Sequence, residues 1–269
     1  MINDTLNNNL KKIILVALFF YLPFASIAWG VEGHRVVGQV ADSYLSKKAK
    51  KEINKILGTE SLAMASNWAD FVKSDSNYNY LYNWHFINFK SGLSEDDIQA
   101  YLKKDTVTDV YTKIIFLVAE LKKKDIIQAN KMLYLRVLIH LVGDVHQPLH
   151  VGRPDDLGGN KIKVMWFNES KNLHQIWDEQ LVQFQQLSYT EYASAINFTT
   201  KEQVTAWQLE PVSKWVYQSY QLAEKIYSDI KQPDQRLDYK YNYNYVTTLN
   251  LQLLKGGVHL AGLLNEIFG

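Results

Sequence analysis

At 269 residues and 47% hydrophobic, the chain is long enough for one large domain or two small ones and has ample material for a core. Its 29 Lys and Arg against 28 Asp and Glu leave a net charge of +1, which argues against a protein that grips long duplex nucleic acid mainly by charge. The absence of cysteine excludes disulfides, so bound metal is the remaining kind of staple.

In chain order, Lys11 and Lys12 precede an apolar run from Ile13 to Leu22, then Pro23 and the small residues around Ser26-Ile27-Ala28. A positive flank, a short apolar stretch and small residues before a cut describe a secretory signal over residues 1–28. The run is too short to span a bilayer comfortably, and an uncleaved anchor is the alternative. Cleavage after Ala28 leaves a mature chain beginning at Trp29, exported to a periplasm or beyond the cell, with no stable membrane association. Residues 29–269 hold no repeat or linker and read as a single mainly α domain, a helical bundle with a small β-hairpin.

His34 to Leu57 is amphipathic and stops at Gly58; Ser61 to Val72 is a second, short helix. Tyr82 to Phe89, rich in aromatic and branched residues, reads as a strand. Ser94 and Asp97 resemble a capping box opening a helix toward Lys103. Val107 to Lys123 and Ala129 to Val145 continue the helical period, and Pro148 ends the latter. Asp155 to Gly159 is a loop. Asn160 to Phe167 alternates as a strand that can pair with the earlier one. Helices follow at Leu173 to Phe184, Tyr189 to Ala195, Lys201 to Ile230, and from about Tyr243 to the end.

The chemistry concentrates in His140-x3-Asp144-x5-His150, followed by His174-x3-Asp178. Neutral imidazole nitrogen and carboxylate oxygen are the ligands Zn²⁺ takes when thiolate is absent. Positions i and i+4 share a helix face, about 6 Å apart along the axis. Two neighbouring helices therefore each present an imidazole and a carboxylate, and His150 lies just past Pro148 where the chain turns away. Either pair alone reads as a surface hydrogen bond or ion pair; their recurrence beside His150 favours a metal site. Asp70, His85 and His34 carry no signal by themselves. His146 is two residues from Asp144, on another helix face, and reads as a buried hydrogen-bonding residue. His259, in a Leu- and Gly-rich helix, reads as a core histidine.

Trp29-Gly30-x2-Gly33-His34, Trp68-Ala69-Asp70, Trp84-His85-Phe86, His140-x3-Asp144-x-His-Gln-Pro-Leu-His150, Asp156-x-Gly158-Gly159-Asn160 and His174-x3-Asp178 occur in this order. The chain thereby resembles the S1/P1 nuclease family, zinc-dependent single-strand nucleases and 3′-nucleotidases with a fold like that of phospholipase C, over the whole mature chain. The resemblance implies three Zn²⁺. One is held by Asp70, His85, His140 and Asp144. A second is held by His150, His174 and Asp178. The third is held by His34, Asp144 and the freed amine and carbonyl oxygen of Trp29. It also implies attack by a metal-bound hydroxide, with Asp70 orienting the nucleophile, Lys73 touching phosphate and Phe86 stacking on a base. Asn88 stands where an aspartate is expected of fungal members, and an amide donates as well as accepts. Asn160 either touches substrate or braces its loop. Lys73 also reads as an ordinary solvated lysine and Phe86 as core. In an ideal strand Phe86 points away from His85, so both reach one cleft only if the strand is irregular.

The expected activity is hydrolysis of single-stranded DNA and RNA to 5′-nucleotides, and of 3′-nucleotides, by a monomer. A zinc phospholipase C is the nearest rival, but that family spaces its terminal Trp further from its first histidine and ends its ligand set on Glu, where this chain has Asp178. A non-catalytic zinc-binding protein is the other alternative. Structural zinc sites are closed by four protein ligands, whereas His150, His174 and Asp178 supply three. Asn168-Glu169-Ser170 and Asn197-Phe198-Thr199 fit the glycosylation pattern.

Overall fold

The computed structural model describes residues 29–269, so the expected signal segment 1–28 lies outside the described residues. These residues form a mainly helical fold with one three-stranded sheet. The chain enters through α1 (Val31–Ser43), α2 (Lys47–Leu57) and two short helices, α3 (Leu62–Ala65) and α4 (Trp68–Phe71). A 3₁₀ segment, Ser76–Trp84, leads to α5 (Glu95–Leu102), α6 (Val110–Leu121) and α7 (Gln128–His146). After a 3₁₀ turn, Pro148–Val151, come β1 (Lys163–Trp166), β2 (Glu169–Asn172), α8 (Leu173–Gln175), a π turn (Ile176–Gln180) and α9 (Leu181–Phe184). The remainder is α10 (Tyr189–Ile196), α11 (Lys201–Gln208), α12 (Val212–Asp229), β3 (Gln235–Leu237) and α13 (Tyr239–Phe268).

Capping decides most helix starts. Capping boxes open α5 (Ser94 and Asp97), α6 (Asp109 and Thr112), α10 (Ser188 and Glu191) and α11 (Thr200 and Gln203); each cap is worth about 1 kcal/mol. Capping also explains where the expected helices divide. The helix expected over 34–57 is two, because the Ser46 side chain accepts from Ala49 N and starts α2 afresh. The helix expected over 201–230 breaks at Pro211, which has no N–H to continue α11 and instead caps α12. The stretch 61–72 divides at Ser66-Asn67, and the last helix starts earlier than Tyr243, at the Asp238 cap.

The strand expected over Tyr82 to Phe89 is not one. Its first half is the end of the 3₁₀ segment, and its second half runs extended beside the exit from α7, with Ile87 N donating to His150 O at 2.9 Å and Phe89 N to Gly152 O at 2.9 Å. The segment expected over 160–167 narrows to β1, since residues 160–162 are spent on a turn. β1 pairs antiparallel with β2, not with the Tyr82 segment, and parallel with β3.

Helix α7 is the axis of the molecule. From Val137 to His146 every residue is buried, so this stretch is covered on all faces. It packs against α1, α6, α12 and α13. Each Leu or Ile buried this way contributes about 1.5–3 kcal/mol. Into this interior go His34, His85, His140, Asp144, His150, His174 and Asp178, none more than 7% exposed. His146 and His259 are also buried, their rings joined at 2.6 Å between Nε2 and Nδ1, as core histidines. No helix of the described residues is long and apolar enough to cross a membrane.

Candidate metal centre

Five segments deliver the donors. Helix α7 presents His140 and Asp144 one turn apart, and the turn after Gln147 swings His150 back beneath them. His174 comes from α8 and Asp178 from the π turn that follows; such turns within helices recur at functional sites. His85 caps the 3₁₀ segment, Asp70 lies on α4 and His34 on α1.

Asp144 faces two ways. Its Oδ2 lies 2.9 Å from His85 Nδ1 and 3.2 Å from His140 Nε2, while its Oδ1 lies 3.4 Å from His34 Nε2. His140 Nε2 is 3.1 Å from His85 Nδ1 and 3.6 Å from Asp70 Oδ1. The His34 and His140 rings stack, centroids 3.9 Å apart. On the other side, His174 Nε2 is 3.1 Å from Asp178 Oδ2, and His150 Nε2 is 3.8 Å from Asp178 Oδ1. Three groups of side chains thus hold their donor atoms within 4.8 Å of one another: His34, Asp70 and His140; His85, His140 and Asp144; and His150, His174 and Asp178.

Backbone carbonyls fix the tautomers. His140 Nδ1 donates to Ser66 O at 2.6 Å, His150 Nδ1 to His85 O at 2.6 Å, and His174 Nδ1 to Gly158 O at 2.7 Å. A carbonyl only accepts, so each Nδ1 holds a proton and each Nε2 is the ring nitrogen left to face the cluster. The break at Ser66-Asn67 lies where the first of these carbonyls is needed. Gly158 supplies the third with φ +65, and a Cβ there would sit 2.4 Å from Leu149 O. Gly143 is required for a different reason: a Cβ would meet His34 Nδ1 at 2.6 Å.

These donors fit a cation. Both His34 nitrogens, both Asp70 oxygens, Asp144 Oδ1 and His150 Nε2 are buried without a hydrogen bond. Asp70 Oδ1 meets Lys73 Nζ at 2.5 Å as an ion pair, but makes no directed hydrogen bond. An unsatisfied buried polar atom costs about 1–3 kcal/mol, and so many in one place need positive charge between them. Nitrogen and oxygen donors without thiolate suit Zn²⁺.

The protein's own titration leans the same way. Burial works against charge on His150, yet Asp144 and Asp178 overcome it and hold the imidazole up at about 9. Burial likewise opposes ionisation of Asp178, but His174 and His150 pull it down to about 2. Asp144 is held well below the carboxylate range against burial, first by His140. His34, with burial and then His140 acting together, falls to about 4.

A cleft of about 510 Å³ opens onto it, lined among others by Lys73, Tyr82, His85, Phe86, Asn88 and Asn160. His85 and Phe86 both reach this cleft because the backbone at His85 is turned (φ −80, ψ −15) rather than extended. Asn160 also braces its loop, Nδ2 donating to Leu157 O at 2.8 Å. Trp29 is fully buried, its indole donating to Gly143 O at 2.8 Å, and Gly30 N donates to Asp178 O at 2.6 Å. The start of the described chain is therefore tied to both ligand-bearing segments. A wider groove of about 840 Å³ along Tyr44 and Asn197 carries none of the ligand-type residues.

Sequence reasoning missed Gln147 and Tyr82. Gln147 is fully buried with its side chain on Asp178, and its only signal was its place between Asp144 and His150. Tyr82, 67% exposed, stands edge-on to Phe86 at the cleft mouth.

The family model described as S1/P1 Nuclease matches residues 29–269. Endonuclease 3 of Arabidopsis thaliana is 28% identical over 95% of this chain and 94% of its own length. Nuclease P1 of Penicillium citrinum is 28% identical over 90% of this chain and 98% of its own length. Nuclease PA3 of a Penicillium species is 29% identical over 90% of this chain and 98% of its own length.

Proposed function

This chain belongs to the S1/P1 nuclease family and is a hydrolase of nuclease type, and from that premise we propose that it cleaves single-stranded DNA and RNA to 5′-nucleotides, and 3′-nucleotides to nucleosides, at a centre of three Zn²⁺. The observation that carries the reading is Asp144, fully buried with one oxygen toward His85 and His140 and the other toward His34. A carboxylate so arranged can serve two cations.

The proposed sets are Asp70, His85, His140 and Asp144; His150, His174 and Asp178; and His34, Asp144 and the amine and carbonyl oxygen of Trp29. That last set needs a free amine at Trp29, so export and removal of residues 1–28 belong to the reading, as does a single catalytic domain over 29–269 acting as a monomer. When bound, zinc supplies Lewis acidity, bringing the pKa of water toward neutrality and screening phosphate charge.

The chain's residues do the rest. Asp70, the catalytic residue, accepts a hydrogen bond from the attacking water and orients it at the phosphorus. Lys73, beside Asp70 and lining the cleft, donates to a phosphate oxygen and offsets its charge. Phe86 offers a ring face to a base, which any base can use. Asn88 both donates to and accepts from a base edge, and Asn160 lines the cleft while bracing its loop. The ligand side chains at the floor of the cleft are buried, whereas Lys73 and Tyr82 at its walls are partly open to water.

Digesting single-stranded DNA and phosphatidylcholine side by side with the processed protein tests the reading. Nucleic-acid turnover that is lost on chelation and regained with Zn²⁺ is expected. Lipid turnover alone, or chelator-resistant DNA hydrolysis, overturns it.

A further inference from the structure

We propose that Gln147 is a positioning residue that fixes the orientation of the Asp178 carboxylate for the cation site formed with His150 and His174; this rests on the metal reading above. Gln147 touches three ligand residues at once. Its backbone N–H donates to Asp144 O at 2.9 Å, and its carbonyl accepts from His150 N at 3.0 Å. Its side-chain Nε2 donates to Asp178 Oδ1 at 2.6 Å, and its Oε1 accepts from Leu149 N at 2.5 Å.

The direction of the amide is not free. Leu149 N–H can only donate, so the oxygen must face it and the NH₂ must face Asp178. Gln147 is 0% exposed, so no water competes for the bond. The contacts around the carboxylate choose its orientation, because the terminal torsion of aspartate is broad and two-fold, and the Gln147 amide is one of those contacts. With Oδ1 held by the amide, Oδ2 stays 3.1 Å from His174 Nε2. Groups that orient a metal ligand from behind typically account for 10- to 100-fold in metal affinity.

The side chain also caps the turn that carries His150, and the test must separate the two roles. Gln147→Glu keeps an oxygen for Leu149 N–H and, above the pH at which it ionises beside Asp178, removes the donor; Gln147→Met removes both at any pH and similar size. Zinc content and affinity are measured on processed full-length protein against a competing chelator, with circular dichroism as the check on folding. Both variants are expected to bind one zinc about 10- to 100-fold more weakly. Their kcat at limiting Zn²⁺ falls and returns in excess Zn²⁺, while KM for an oligonucleotide stays put. Wild-type zinc affinity in either folded variant overturns the proposal. A readout that needs no variant to fold is the Gln147 side-chain amide resonance of the wild type: it shifts as Zn²⁺ is titrated, and an amide that ignores the metal also overturns the proposal. A wild-type protein that binds no zinc would instead sink the metal reading itself.

Discussion

Asp144→Asn is the most informative single change. It preserves shape, removes one negative charge and turns one oxygen into a donor. Asp144 is 0% exposed, with His85, His140 and His34 at 2.9, 3.2 and 3.4 Å from its oxygens. Removing one partner of a buried ionic set costs about 3–5 kcal/mol, a large part of the 5–15 kcal/mol that holds a typical domain folded. The same change strips a ligand from two proposed zinc sites together. We expect the variant to keep one zinc of three and to lose at least about 10³-fold in kcat/KM, the equivalent of about 4 kcal/mol. Lys73→Ala removes one partly exposed charge-assisted contact worth about 1.5–3 kcal/mol, so it should lose about 10- to 100-fold and keep all its zinc. Elemental analysis of dialysed protein, with initial rates on a single-stranded oligonucleotide, decides the matter. Equal zinc content and equal rates in the two variants refute the bridging role.

Chelation should abolish hydrolysis of single-stranded DNA and lower the melting temperature, both reversed by Zn²⁺ and followed by scanning calorimetry. In the chelated protein, His150 has a folded pKa of about 9, above its usual value, so its contribution to stability is full below about 6.5 and is lost as pH rises through about 9. Asp178, depressed to about 2, contributes above about 3.8 and loses that contribution as pH falls toward 2; melting curves in EDTA across pH should show both flanks. Phe86→Ala should raise KM about 10-fold for every base alike, since stacking is worth about 1–3 kcal/mol without sequence preference, and a base-selective loss measured with homopolymers would contradict it. Gly158→Ala places a Cβ 2.4 Å from Leu149 O at φ +65. It should cost about 1–3 kcal/mol in denaturant melts and weaken zinc binding through the His174 carbonyl partner.

The parts of the site that sit at helical spacing were legible in the sequence. His140 with Asp144 and His174 with Asp178 needed only the period of the helix, and Pro148 announced where the chain would turn. Asp70, His34 and His85 were legible only through the family resemblance, because their partners lie far off in sequence and no local rule brings them together. The Tyr82 to Phe89 stretch misled because aromatic residues favour strands on average, while here Tyr82 lines a cleft and Trp84 packs against Phe116. The divisions at Ser46 and Pro211 were written in the sequence as a cap and a missing donor, but a periodic apolar pattern runs through both. The carbonyls of Ser66, His85 and Gly158 were invisible, since every residue has one and only tertiary structure says which will meet an imidazole.

Fold and metal are one equilibrium on this reading. The donors come from α1, α4, the end of the 3₁₀ segment, α7 with its exit turn, and the α8–π-turn segment, so no local stretch can assemble them. In the unfolded chain these groups are solvated and apart. Folding buries them in three groups, with the donor atoms of each group within 4.8 Å of one another, where like lone pairs oppose each other unless a cation intervenes. A proton on His150 can serve in part, but a proton joins two atoms and a divalent ion joins three or four. Zinc that binds only the folded chain stabilises it in proportion to the logarithm of its free concentration over Kd. A protein with no cysteine thereby gains cross-links between its first helix, its central helix and the segment after its hairpin. Ions held by these residues would serve both the chemistry and the packing of the segments that carry the ligands, so a ligand variant should lose activity and melting temperature in step as zinc is withdrawn.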